Sequence, residues 1–121
     1  MKAFLESQTF SSNAPGPTIA LVALTHGNEP VGLTIFESLI SSGILHTLQS
    51  GRVLLICSNV LAYEEYMNQE DPLKYRFLDH DMNRIWDDVY IENSREYERR
   101  EQVKKMLESA DIVLDIHSIS K

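Results

Sequence analysis

His26 and Glu29 stand three residues apart in TIALVALTHGNEPVG, where an apolar run gives way to a polar turn. A turn uses Gly27 and Asn28; it has no need of an imidazole and a carboxylate. A His-x-x-Glu pair entering a helix can offer two ligands to one ion. A distant histidine, His117 in DIVLDIHS, can close the set. Two histidines and one carboxylate with an open fourth position form a common catalytic zinc set. Neutral imidazole with carboxylate suits a borderline metal, zinc above others. Each part also has a plainer reading. Glu29 is an acid that a helix dipole favours in the first turn, and a lone histidine at a strand end is commonly just hydrogen-bonded.

A second group lies in RFLDHDMNRIW. Arg76, Asn83 and Arg84 put two forked cations and an amide within nine positions. Arg grips carboxylates bidentately, and Asn adds directional hydrogen bonds. The same residues also fit a solvated loop in which Asp79 and Asp81 pair with those arginines. Other candidates read as bland. Cys57 sits inside an apolar strand and belongs to the core. Ser58 and Ser118 lack a base and a nucleophile elbow. His46 reads as surface, His80 as exposed or a neighbour of the site, and Tyr75 and Trp86 as packing beneath the Arg-bearing loop.

The elements that must position these residues follow from patterning. Residues 1–10 are weakly extended, and SSNAPGP is a loop by composition. TIALVAL, RVLLICSNV and DIVLDIH are unbroken, β-branched or apolar, and predict three buried strands. EPVGLTIFESLISSG predicts a helix with Val31, Ile35, Leu39 and Ile40 inward, Pro30 in the first turn and Gly43 at the stop. LAYEEYMNQE predicts a short helix ending near Asp71-Pro72. ENSREYERREQVKKMLESA predicts a charged amphipathic helix with Tyr97, Val103, Met106 and Leu107 inward. Residues 73–88 predict a structured loop with a short helix or turn. Strands alternating with helices define an α/β protein with a largely parallel sheet. Ligands in such sheets bind outside the carboxyl ends of the strands. His26, Asn59 and His117 each end one of them.

Bulk numbers bound the rest. The chain's 121 residues suffice for one domain, and 43% hydrophobic with 24% charged residues is ordinary globular composition. A formal net charge of −7 gives no reason to hold a phosphate backbone, so nucleic acid is not expected as a partner. One cysteine makes no internal disulfide, which fits a reducing compartment. No signal peptide is visible. No apolar run nears the ~18 residues of a membrane helix. A cytoplasmic protein with no membrane partner is expected.

HGNE, then R-x-x-x-x-D-x-N-R, then DIHS together resemble the succinylglutamate desuccinylase/aspartoacylase family, a branch of the zinc carboxypeptidase-like hydrolases. The three motifs come in the family's order and run across most of the chain, from Thr18 to Ser118. That resemblance implies a mixed central sheet flanked by helices. It implies one Zn2+ held by His26, Glu29 and His117, and Arg76 polarising the scissile carbonyl. Asn83 and Arg84 match the pair holding the substrate's free carboxylate, and Asp81 the acid that orients His26. The substrate class that the resemblance implies is a small N-acyl amino acid. Two local departures are Asn59-Val60, where many relatives have Asn-Pro, and a small insertion at Gln69–Lys74.

The family's general-base glutamate lies well after the third ligand, beyond residue 121, as does a later β-rich segment. Residues 1–121 are therefore expected to be the N-terminal part of a single zinc-hydrolase catalytic domain, a truncated form with little activity alone. Its sheet is expected to leave the Ile112–His117 strand or a neighbour unpaired and open to self-association. Two other readings stand beside the amidohydrolase: a metallocarboxypeptidase-like peptidase, and a non-catalytic metal-binding fragment.

Overall fold

A computed structural model describes residues 7–68, 75–87 and 89–118. Within them four strands form one mixed sheet: β1 (Gln8–Ser11), β2 (Thr18–Ala23), β3 (Arg52–Cys57) and β4 (Ile112–Asp115). Three α-helices accompany it: α1 (Val31–Ser41), α2 (Val60–Met67) and α3 (Arg95–Leu107). The strand order is β1-β3-β2-β4. β2 runs parallel to both neighbours, with Ala23 opposite Cys57 and Val22 opposite Asp115. β1 alone is antiparallel, on β3. The mixed, helix-flanked α/β sheet agrees with the architecture read from the sequence. The proposed end of α2 near Asp71-Pro72 and the Gln69–Lys74 insertion lie outside the described residues.

Strand alternation sorts the apolar side chains into two layers. Ala20 and Val22 of β2, with Leu54 and Ile56 of β3, pack on Val103 of α3, flanked by Trp86, Met106 and Leu107. Leu21, Ala23, Leu55 and Cys57 face Leu33 and Phe36 of α1 and Tyr63 of α2. Sheet residues central to both layers are close to fully buried. Burying a side chain such as Phe36 or Leu55 is worth about 2–3 kcal/mol.

Two helix faces differ from their predicted stripes. In α1 the buried residues are Gly32, Leu33 and Phe36, while Val31 and Ile35 are exposed. Both series keep helical spacing; Gly32 decides between them. A Cβ there would come within 2.6 Å of the Ala23 Cβ, so the helix lies on β2 through its glycine. In α3 the buried residues are Glu96, Arg100 and Val103, and Tyr97, Met106 and Leu107 are only half-buried. The helix carries charges inward because a loop, not apolar side chains, lies over its first turns.

β4 forms where expected; it is not the buried strand that its apolar run predicts, and it shows instead the exposure expected for a strand with an unpaired edge: Ile112, Val113 and Leu114 are 48%, 46% and 53% exposed. It pairs with β2 on one side, and its other edge has no partner among the described residues. Among those residues, no helix is long and apolar enough to cross a membrane.

Candidate metal centre

β2 ends at Ala23, and Leu24 turns the chain with φ 61° while fully buried. Left-handed backbone at a non-glycine costs about 1–2 kcal/mol and here sits directly before the chemistry. The turn that follows is tight, with the Glu29 N–H donating to the His26 carbonyl at 3.2 Å. Its Gly27 N–H donates to the Arg76 carbonyl at 3.0 Å. A Cβ at Gly27 would lie 2.5 Å from Ala62 C and from Tyr75 O, so the turn is wedged between α2 and the Arg-bearing loop. His26 and Glu29 are 2% and 5% exposed as a result. His117 comes from the other side. Past β4, the Ile116 N–H still donates to Val22 at 2.8 Å, which carries His117 to the same sheet end.

His26, Glu29 and His117 each offer a ligand atom within 4.8 Å of the others. His26 Nδ1 lies 2.7 Å from Glu29 Oε2, and His117 Nδ1 lies 3.3 Å from Glu29 Oε1. The two rings meet edge-on at 5.2 Å between centroids. Each ring turns its other nitrogen to a carboxylate: His26 Nε2 to Asp81 Oδ1 at 2.8 Å, His117 Nε2 to Asp115 Oδ2 at 2.9 Å. An Nε2–H donated outward leaves Nδ1 as the inward lone pair, the arrangement by which carboxylates orient metal-binding histidines. Three carboxylates, Glu29, Asp81 and Asp115, surround the two imidazoles, and the Arg76 guanidinium meets two of them, Glu29 and Asp81. The donor set therefore fits a divalent cation in both chemistry and orientation.

Arg76 stands beside this cluster. Its Nη1 donates to Glu29 Oε2 at 3.0 Å, its Nε lies 3.7 Å from Asp81 Oδ2, and its side chain is 41% exposed. Asp81 also accepts from the Asn83 N–H at 2.9 Å and caps the 3-10 turn Met82–Arg84. Burial pushes the Asp81 carboxyl upward, but that N–H, the His26 ring and Arg76 together outweigh it and hold it below the usual range. Asn83 and Arg84 follow immediately. Arg84 is exposed, with its Nη1 on the Asn83 carbonyl at 3.3 Å. Neither contacts His26, Glu29 or His117 through a hydrogen bond recorded for the described residues.

The plainer reading holds for Asp81, which pairs with Arg76, but not for Asp79. Asp79 takes Arg95, through two guanidinium bonds of 2.9 Å and the Arg95 N–H at 2.8 Å. Those bonds hold its carboxyl well below the ordinary carboxylate range. His80 contacts Ser94 Oγ at 2.9 Å and is no ligand. Cys57 is core, as expected. A hollow of about 640 Å³, lined by Val60, Glu64, Arg99 and Met106 among others, has none of His26, Glu29 and His117 in its walls.

Two residues went unread in the sequence. Asp115 is one, although it stands in the DIHS motif; two positions before His117 on a strand puts both side chains on one face. Its second oxygen accepts from Thr25 Oγ1 at 2.8 Å, which ties β4 to the turn after β2. Glu96 is the other, a fully buried acid with no sequence signal beyond its place near a helix start.

The arrangement defines an α/β domain with a His-x-x-Glu and His cluster at the carboxyl ends of parallel strands. Residues 15–121 match the model of the succinylglutamate desuccinylase/aspartoacylase catalytic domain, and the chain belongs to that family. Two solved structures share its fold. One is a succinylglutamate desuccinylase of Vibrio parahaemolyticus, with TM-score 0.63 and 19% identity over 91% of this chain. The other is a protein of Shewanella amazonensis assigned to the succinylglutamate desuccinylase/aspartoacylase family, with TM-score 0.69 and 18% identity over 95% of this chain. The chain spans 38% and 42% of their lengths. No curated protein sequence matches it.

Proposed function

We propose that this chain supplies the metal-binding part of a zinc-dependent hydrolase that cleaves the amide bond of an N-acyl amino acid. The observation that carries this reading is the meeting of His26, Glu29 and His117 within 4.8 Å, with a carboxylate behind each ring. Membership of a deacylase family supports the reaction class. In this reading His26, Glu29 and His117 would hold one zinc ion, which would supply Lewis-acid chemistry toward the amide carbonyl and a nucleophilic water.

The chain's own residues then divide the remaining work. Asp81 and Asp115 keep the two imidazoles turned inward. Arg76 puts a half-exposed guanidinium next to the donor set, where it meets the negative charge developing on the carbonyl oxygen. Asn83 and Arg84 anchor the free carboxylate of the substrate and so fix its pose.

Metal analysis tests the reading. The purified chain should carry one zinc per molecule, and His117→Ala should lose it. Equal metal in the two proteins would sink the assignment.

A further inference from the structure

We infer that Glu96 is a positioning residue for the metal centre, acting through the loop that bears Arg76 and Asp81. The inference rests on the metal-site reading above and extends it to a helix that contributes no ligand. Glu96 lies in the first turn of α3 and is 1% exposed. Oε1 accepts the N–H groups of Asp79 at 2.8 Å and His80 at 3.1 Å. Oε2 accepts the Leu78 N–H at 2.8 Å and Asn59 Nδ2 at 3.0 Å. All four partners are donors, and both oxygens are filled, which only a carboxylate can do. Three successive backbone N–H groups converging on one anion form a nest, with the protein's own side chain as the anion.

What the nest holds gives it a role. Residues 78–80 bridge Arg76 and Asp81, the two groups that touch Glu29 and His26. A loop with its amides tied down cannot rotate Asp81 away from His26 Nε2. Asn59, at the end of β3, ties the same carboxylate to the sheet end where the turn after β2 begins. One turn further along α3, Arg100 does the converse. It is 1% exposed and donates through Nη1 to the carbonyls of Ile85, Asp87 and Val89. An acid and a base four residues apart thus hold the two flanks of the 3-10 turn: Glu96 accepts from the N–H groups of one flank, and Arg100 donates to the carbonyls of the other. Glu96 is the one whose flank leads to the metal ligands.

Glu96→Gln is the informative change. Gln keeps the size, yet one of its two terminal atoms is an NH₂ that meets donors. Zinc affinity, read by competition with a chelating dye, should fall about tenfold, the low end of what outer partners of a metal site cost. Amide exchange at Leu78, Asp79 and His80 should quicken, with or without metal. Asn59→Ala serves as comparison: it removes one buried bond to Glu96 and leaves the three loop bonds. It should lower the melting temperature but change zinc affinity less than twofold. A folded Glu96→Gln protein with wild-type zinc affinity would overturn the inference, as would equal weakening by Asn59→Ala. Should Glu96→Gln not fold, Glu96→Asp, too short to reach both sides, takes its place with the same expected loss; wild-type affinity in it is again fatal. A wild-type chain that binds no zinc tells against the metal-site reading instead, and the exchange rates still show whether Glu96 holds the loop.

Discussion

Asp115 Oδ2 lies 2.9 Å from His117 Nε2, across a single strand position on the same face. The contact pairs an exposed edge strand with a buried centre. His117 is the least sheltered of the three candidate ligands, with a side chain 30% exposed against 2% for His26. Its orientation therefore depends on Asp115, itself tethered by Thr25. Asp115→Asn should weaken zinc binding by about 10–100-fold while leaving the fold intact. Competition titration checks the affinity, and circular dichroism checks the fold. Unchanged affinity would show that the carboxylate has no hold on the ring.

Gly27 should be irreplaceable. A methyl group at that position meets backbone on two sides, at Ala62 and at Tyr75, and neither is the end of a flexible side chain. Gly27→Ala should cost about 1–3 kcal/mol of stability, the usual cost of forcing volume into a packed site. It should also weaken metal binding, because the turn holds the Arg76 carbonyl. Urea denaturation gives the first number. A midpoint equal to wild type would mean that α2 and the loop simply move aside.

The legible parts of the site were those carried by residue type at short range. His26 and Glu29 fall in one turn, and His117 ends a run that can only be a strand. Asp81 was readable through the motif that contains it. The unread parts depend on distant chain. ENSREYERREQVKK has the composition of a solvated helix, and an acid four residues before a base resembles a surface pair. Glu96 and Arg100 are buried against a loop distant in sequence, through bonds to Leu78, Asp79 and His80 in one case and to Ile85, Asp87 and Val89 in the other. β4 was legible in part: an open edge there or at a neighbour was expected, but its IVLD run reads as a buried strand, because nothing within it tells how many neighbours it has.

Cys57 should make stability depend on alkaline pH. Burial pushes its thiol up to about 11, only partly offset by the charge of Arg99. The unfolded chain releases that proton near pH 8.5–9. Above this the unfolded state binds fewer protons than the folded one, so stability falls as pH rises toward 11. The loss is on the order of 2 kcal/mol. Urea melts at pH 8 and pH 10.5 on wild type and Cys57→Ala measure it. The wild type should lose more than the variant; parallel losses would show that the thiol has no part in it.

The 121-residue chain should self-associate through β4. Three adjacent apolar residues there are each about half exposed, and the strand's outer edge is unpaired among the described residues. Such an edge offers backbone donors and acceptors to any other strand. An apolar patch on it adds a driving force for burial. The net charge of −7 opposes contact between copies, so association should strengthen with salt. Cover by α3 is the competing possibility, but that helix reaches only the margin of β4. Val113 shares a hollow with Trp86, Lys104 and Leu107 and remains 46% exposed. Light scattering over a dilution series should give a mass that rises with concentration. Leu114→Lys puts a charge on the strand, a common way for edge strands to avoid pairing, and should restore the monomer. A monomer mass that holds to high concentration in the unmodified chain, with no binding of a dye for apolar surface, would mean that the edge is blunted by the charges of Asp111 and Asp115 beside it.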